Sequence, residues 1–206
     1  MIGFYNYTVI LTYLGTVSGF TGITYVLNGD IRAALICLMI SGFCDMFDGK
    51  IASTRKRTPQ EKRFGIQIDS LSDLICFGLL PGIIGFQCSP KGALHILISS
   101  MFLLCALIRL AWFNVDEEER QVKEDCIRKA YLGLPVTSTA LLMPLFMGCA
   151  KLMELPLGPV SSALLISLGT AFLLPFHLKK PGLKGIASMI ALGISCLAIV
   201  LMGVWT

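Results

Sequence analysis

Four aspartates, Asp45, Asp48, Asp69 and Asp73, stand among apolar neighbours that include Phe43, Phe47, Ile68 and Leu71. A carboxylate in such a setting costs several kcal/mol unless it is paired or faces a polar cavity, and acids within membrane segments are functional candidates by default. A solvated helix end would account for one of these residues and accounts poorly for four. Asp45 and Asp48 are spaced i, i+3 and Asp69 and Asp73 i, i+4, so each pair shares one helix face about a turn apart. Two antiparallel helices joined by a short loop would bring the pairs together. Four facing carboxylates repel unless a cation sits between them, and oxygen-only ligation favours Mg²⁺, Ca²⁺ or Mn²⁺ over zinc or copper. Gly49 and Gly65 lack side chains where a bulky anionic substrate would approach the backbone.

The elements that must position these acids are membrane helices. With 55% apolar and 15% charged residues in 206, against about 25% charged in a soluble domain, the chain is neither a soluble globular enzyme, a disordered tail nor a nucleic-acid-binding module. Apolar stretches of about 20 residues, each long enough to cross about 30 Å of hydrocarbon, predict one all-α, polytopic membrane helical bundle of about seven transmembrane helices spanning residues 1–206. The expected spans are Thr8–Leu27, Ile31–Ala52, Phe64–Gln87, Ala93–Phe113, Leu134–Met153, Pro159–Leu178 and Ile186–Trp205. Turn residues fall between them at Asn28-Gly29-Asp30, Ser89-Pro90-Lys91-Gly92 and Lys179-Lys180-Pro181-Gly182.

Counted by the side of the membrane to which they fall, the Lys and Arg residues divide fourteen to three, the smaller set being Arg32, Lys91 and Lys151. The excess marks the cytoplasmic side, which places the N-terminus and the acidic site there and Thr206 outside. The N-terminus lacks the basic region of a secretory signal and is expected to be retained as a first membrane helix. Six of the eight cysteines lie inside apolar runs and read as small buried hydrophobes. His95 and His177 are isolated and are assigned to no metal. Asp116 to Lys129 reads as a solvated cytoplasmic loop or a helical extension. Gly15, Gly19 and Gly22 suit close approach of neighbouring helices.

The stretch Asp45-Met-Phe-Asp48-Gly49-Lys-Ile-Ala52, followed by Gly65-Ile-Gln-Ile-Asp69-Ser-Leu-Ser-Asp73, resembles the signature of the CDP-alcohol phosphotransferases, D-x2-D-G-x2-A-R-x8-G-x3-D-x3-D. Ser53 stands where that signature has Arg, and the Ala52 to Gly65 interval is three residues longer. Basic residues within reach of the vacated role are Arg55, Lys56, Lys62 and Arg63. Within the family, residues from about Tyr7 to Met147 are most similar to the branch that couples CDP-diacylglycerol to L-serine. Further support lies in Phe77-Gly78 with Pro81, in Ile108-Arg109-Leu-Ala-Trp-Phe113-Asn114-Val115 and in Gly133-Leu134-Pro135.

The resemblance implies an enzyme in which Asp45, Asp48 and Asp69, with Asp73 as the fourth member of the cluster, surround one or two Mg²⁺ or Mn²⁺ ions and Asp73 takes the acceptor proton. It implies a nucleotide site at Asp45, Asp48, Gly49, Ala52, Ser53 and Gly65, and a homodimer in the bilayer. Arg109 and Asn114 are candidates for the acceptor site. Arg109 reads equally as a side chain reaching for the interface, and Asn114 as a helix end. The implied reaction gives phosphatidylserine and CMP. Two alternatives are the same chemistry with glycerol 3-phosphate or an inositol compound, and a cation transporter with an intramembrane carboxylate site. The transporter accounts for the acids but not for the Asp-Gly-x-x-Ala spacing.

Overall fold

The computed structural model describes residues 3–123, 130–179 and 183–202. Among these, seven continuous helical segments follow one another: α1 (Ile10–Leu27), α2 (Ile31–Ala52), α3 (Pro59–Cys88), α4 (Ala93–Lys123), α5 (Thr139–Leu152), α6 (Leu157–Leu173) and α7 (Leu183–Met202). Local sequence accounts for their ends. Gly29 takes φ +83° in the turn between α1 and α2, a backbone region that glycine enters without steric cost, and Asp30 caps α2 by accepting a bond from the Ala33 N–H at 2.9 Å. At the start of α3, Thr58 and Glu61 form a reciprocal capping box with Pro59 at the first helical position. Directly after Asp73, a π-helical stretch over Leu74–Leu79 interrupts α3, and Pro81 follows it.

Most expected spans match these helices, and the departures have local causes. The fourth helix runs ten residues past Phe113 to Lys123, so the first part of the charged run is a helical extension. Residues 124–129 lie outside the described set. The sixth helix stops at Leu173 rather than Leu178 because Leu174 precedes Pro175 and is extended, with ψ 129°. Two short strands, β1 (Ala130–Leu132) and β2 (His177–Lys179), then pair antiparallel as a ribbon with Tyr131 opposite Leu178. Gly133 leaves this ribbon at φ +78°, where a Cβ would lie 3.0 Å from the Leu174 carbonyl oxygen. Pro135 and a 3₁₀ turn over Val136–Ser138 delay the start of α5 to Thr139.

The bundle's core is built from fully buried side chains such as Leu38, Phe77, Leu80, Phe102, Met143 and Phe172. Helices meet closely at small residues. A Cβ on Gly19 would sit 2.6 Å from Cys76 Sγ, one on Gly42 2.5 Å from Ala140 Cβ, and one on Gly148 2.6 Å from Ile199 Cγ2. Outward, α4 presents Leu94, Leu97, Met101, Leu104 and Ile108, all exposed and spaced three or four apart. A contiguous apolar face of this kind suits lipid rather than water. By length and composition Ile10–Leu27, Pro59–Cys88 and Ala93–Glu119 can cross a membrane, with shorter apolar helices at Val136–Leu152, Leu157–Leu173 and Ser188–Met202. α2 is less apolar because it carries Arg32, Asp45, Asp48 and Lys50.

Candidate active site

α2 delivers Asp45 and Asp48 from its last two turns, and the antiparallel α3 delivers Asp69 and Asp73 from its first half. Carboxylate oxygens of Asp45, Asp48 and Asp69 lie within 4.8 Å of one another. Two unit charges at that distance repel by about 3 kcal/mol at an effective dielectric constant of about 20, and three such pairs arise here. The ion pair between Arg55 and Glu61, at 3.5 Å, lies outside this group, and among the described residues no lysine or arginine pairs with these three carboxylates at contact distance. Hard oxygen donors, mutual proximity and the lack of a basic partner fit a divalent cation. Asp73 stands apart from the three-residue group but lines the same narrow space, together with Thr12, Ser41 and Ser72. It is only 9% exposed.

Hydroxyl groups fix these acids against α1. Thr12 Oγ1 donates to Asp48 Oδ2 at 3.2 Å. Thr16 Oγ1 donates to Ser72 Oγ at 2.7 Å, and Ser72 Oγ donates to the Thr12 carbonyl at 3.3 Å. Ser72 precedes Asp73, so this ladder holds the turn of α3 that carries it. On the other side, Ser70 Oγ donates to Asn114 Oδ1, and Gln67 Nε2 donates to Glu118 Oε1 at 3.1 Å. The added length of α4 is what brings Asn114 and Glu118 alongside α3.

A wider cleft, open to solvent on one side, begins where Asp48 and Asp69 end. Gly49, Ala52 and Gly65 line it, as does Thr8, with Arg57 and Lys62 contributing positive charge. A Cβ on Gly49 would meet nothing within 4 Å, so this position borders open space. The segment before α1 closes one wall. Phe4 packs edge-on against Phe64 with ring centroids 5.3 Å apart, and Asn6 Nδ2 donates to Glu61 Oε1 at 3.1 Å.

Asp45, Asp48, Asp69, Asp73, Gly49, Ala52 and Gly65 are thus gathered about two connected spaces that share Thr12, Asp48 and Asp69. Ser53 is not among the lining residues: it is exposed and donates Oγ to the Lys50 carbonyl at 2.6 Å. Arg109 is 7% exposed and donates Nε to the Leu134 carbonyl at 3.3 Å, away from both linings. Asn114 is nearer, bonded to Ser70 between Asp69 and Asp73. The sequence reading missed Thr12 and Arg57. Nothing in a single sequence distinguishes Thr12 from other hydroxyls of α1, and Arg57 is one of five basic residues between Ser53 and Phe64.

The family model described as CDP-alcohol phosphatidyltransferase matches residues 5–197. The chain is similar to a CDP-diacylglycerol--serine O-phosphatidyltransferase of Saccharomyces cerevisiae, 31% identical over 141 residues, 65% of this chain and 50% of the relative. It is similar to an archaetidylserine synthase of Methanothermobacter thermautotrophicus, 27% identical over 183 residues, 88% of this chain and 72% of the relative. A CDP-diacylglycerol--serine O-phosphatidyltransferase of Bacillus subtilis is 22% identical over 185 residues, 87% of this chain and 92% of that protein. The chain therefore spans half the length of the yeast relative and nearly the whole of the Bacillus one.

Proposed function

Because the chain belongs to the CDP-alcohol phosphatidyltransferase family, we propose that it transfers the phosphatidyl group of CDP-diacylglycerol to the hydroxyl of L-serine, giving phosphatidylserine and CMP. The observation that carries this reading is the convergence of Asp45, Asp48 and Asp69 at the inner end of a cleft walled by Gly49, Ala52 and Gly65. The names of the yeast and Bacillus relatives support serine as acceptor.

Asp45, Asp48 and Asp69, with Asp73 beside them, would hold one or two Mg²⁺ or Mn²⁺ ions, which would supply neutralisation of diphosphate charge and electrostatic stabilisation of the transfer. Gly49, Ala52 and Gly65 admit the cytidine diphosphate moiety to close backbone contact. Asp73, buried and set apart from the three-residue group, takes the proton of the serine hydroxyl as that oxygen forms a bond to the lipid-bearing phosphorus. The phosphorus–oxygen bond to CMP breaks, and CMP carries away the electron pair. Positioning supplies most of the catalysis in transfers of this kind. Ser70 and Asn114 set the face of α3 on which Asp69 and Asp73 lie. Asn114 and Arg109 are the residues proposed for the acceptor side.

The whole chain forms one domain, with its N-terminus and cleft on the cytoplasmic side and two copies paired in the bilayer. CMP release by full-length protein in detergent, with CDP-diacylglycerol and Mn²⁺ or Mg²⁺, tests the reaction. Serine should support release, and glycerol 3-phosphate and inositol compounds should not. Asp73→Asn should retain Mn²⁺ binding and lose release by roughly 100-fold or more. Release with another acceptor would overturn the choice of serine. Metal-independent behaviour of folded protein would overturn the chemistry.

A further inference from the structure

Arg57 occupies a position that the signature spacing does not anticipate. Its guanidinium lies against Gly65, where a Cβ would come within 3.1 Å of Arg57 Nη1. The side chain is half-buried and lines the cleft together with Lys62, Asp48, Asp69 and Gly49. Arg57 makes no hydrogen bond or ion pair within the described residues: Arg55, not Arg57, takes the nearby Glu61 at 3.5 Å. Meanwhile Ser53, where the signature has its arginine, is exposed and bonded to the Lys50 carbonyl. The three added residues between Ala52 and Gly65 supply the reach that position 53 lacks.

A planar guanidinium with its donors uncommitted, held beside an open cleft and a glycine, is suited to paired anionic oxygens. Arg57 and Lys62 supply the positive charge lining a cleft that carries Asp48, Asp69 and Glu117, so an anion entering it would be drawn to this edge. We infer that Arg57, with Lys62 beside it, grips the diphosphate oxygens of the nucleoside diphosphate substrate and that this loop pair replaces the arginine missing at position 53. The inference rests on the proposed function, whose substrate it binds. Arg57 acts on affinity for the diphosphate and takes no proton in the reaction.

CDP and cytidine titrated separately into full-length protein in detergent with Mn²⁺, followed by calorimetry, test it. Arg57→Ala should weaken CDP binding by roughly 10-fold or more, the loss expected for hydrogen bonds to a charged group. Cytidine binding should stay unchanged, Arg57→Lys should recover part of the CDP affinity, and Lys62→Ala should give a smaller loss. Arg55→Ala should bind CDP as the parent does. In turnover, Arg57→Ala should raise KM for CDP-diacylglycerol more than it lowers kcat. Parent protein that binds no CDP would overturn the proposed function and this inference together. Parent-like CDP binding by Arg57→Ala would overturn the inference alone. Equal loss of CDP and cytidine would also overturn it, because the defect would then lie in the shape of the cleft rather than in its grip on phosphate.

Discussion

Replacing Gly19 by alanine would place a methyl carbon 2.6 Å from Cys76 Sγ and 3.3 Å from Cys76 Cα. The sulfur cannot swing aside cheaply, because Cys76 is 1% exposed and donates to the Gly15 carbonyl at 3.3 Å. The Cα cannot move without the helix. Overpacking of this kind costs about 1–3 kcal/mol. At about 2–4 °C per kcal/mol for a chain of this size, Gly19→Ala should melt roughly 2–12 °C lower in detergent. Cys76→Ala removes the nearer of the two clashing atoms, so the double variant should be more stable than the sum of the single effects predicts, by about 0.5 kcal/mol or more. Because Cys76 follows Asp69 by seven residues, about two turns along the same helical segment, the displacement should also weaken Mn²⁺ binding, and the double variant should recover it. Thermal unfolding of the four proteins in one detergent, with Mn²⁺ titrations beside it, gives both readouts. A Gly19→Ala protein that melts within about 1 °C of the parent, or a strictly additive double variant, would refute the reading of α1 and α3 as rigid neighbours in contact.

Two further outcomes follow from single contacts. Thr12→Val keeps the shape of the side chain but loses the 3.2 Å bond to Asp48; Mn²⁺ affinity measured by calorimetry should fall about fivefold, for a loss of about 1 kcal/mol, and Thr12→Ser should restore it. Gly133→Ala forces a side chain into φ +78° and to 3.0 Å from the Leu174 carbonyl oxygen, so unfolding should show a loss of about 1–3 kcal/mol, while Gly29→Ala, with open space around it, should lose less.

Most of the helical layout was legible because a membrane helix advertises itself as a long apolar run bounded by turn residues, and residues 10–27 show this: the expected span and α1 end at the same residue, Leu27, before the Asn28-Gly29-Asp30 turn. The aspartate pairs were legible for a related reason, since charge is conspicuous against an apolar background and i, i+3 and i, i+4 spacings map onto one helix face. The ends of α4 and α6 were not, because charged residues after Phe113 can form a helix or a loop, and Pro175 acts on the backbone rather than on hydropathy. Arg57 escaped notice because its value comes from lying against Gly65, a contact eight positions away in the chain and across a loop. The ladder of Thr12, Thr16 and Ser72 is likewise tertiary: each hydroxyl alone is an ordinary residue of an ordinary helix.

The wide turn over Leu74–Leu79 offsets the phase of the second half of α3 from that of the first. In an unbroken α-helix each residue advances by about 100°, so the aim of any side chain dictates that of all others. The wider winding directly after Asp73 changes that advance by a fixed amount, so the second half aims along a different set of directions from the first. Upstream, Asp69 and Asp73 are indexed to Asp45 and Asp48 on α2 and the hydroxyls of α1; downstream, Phe77, Leu80 and Ile84 are indexed to the core. One helical segment thereby presents carboxylates to the site from its first half and apolar side chains to the core from its second. A single-residue deletion in the wide turn would rotate one half against the other by about 100°, which makes this stretch far less tolerant of changes in length than of changes in side chain.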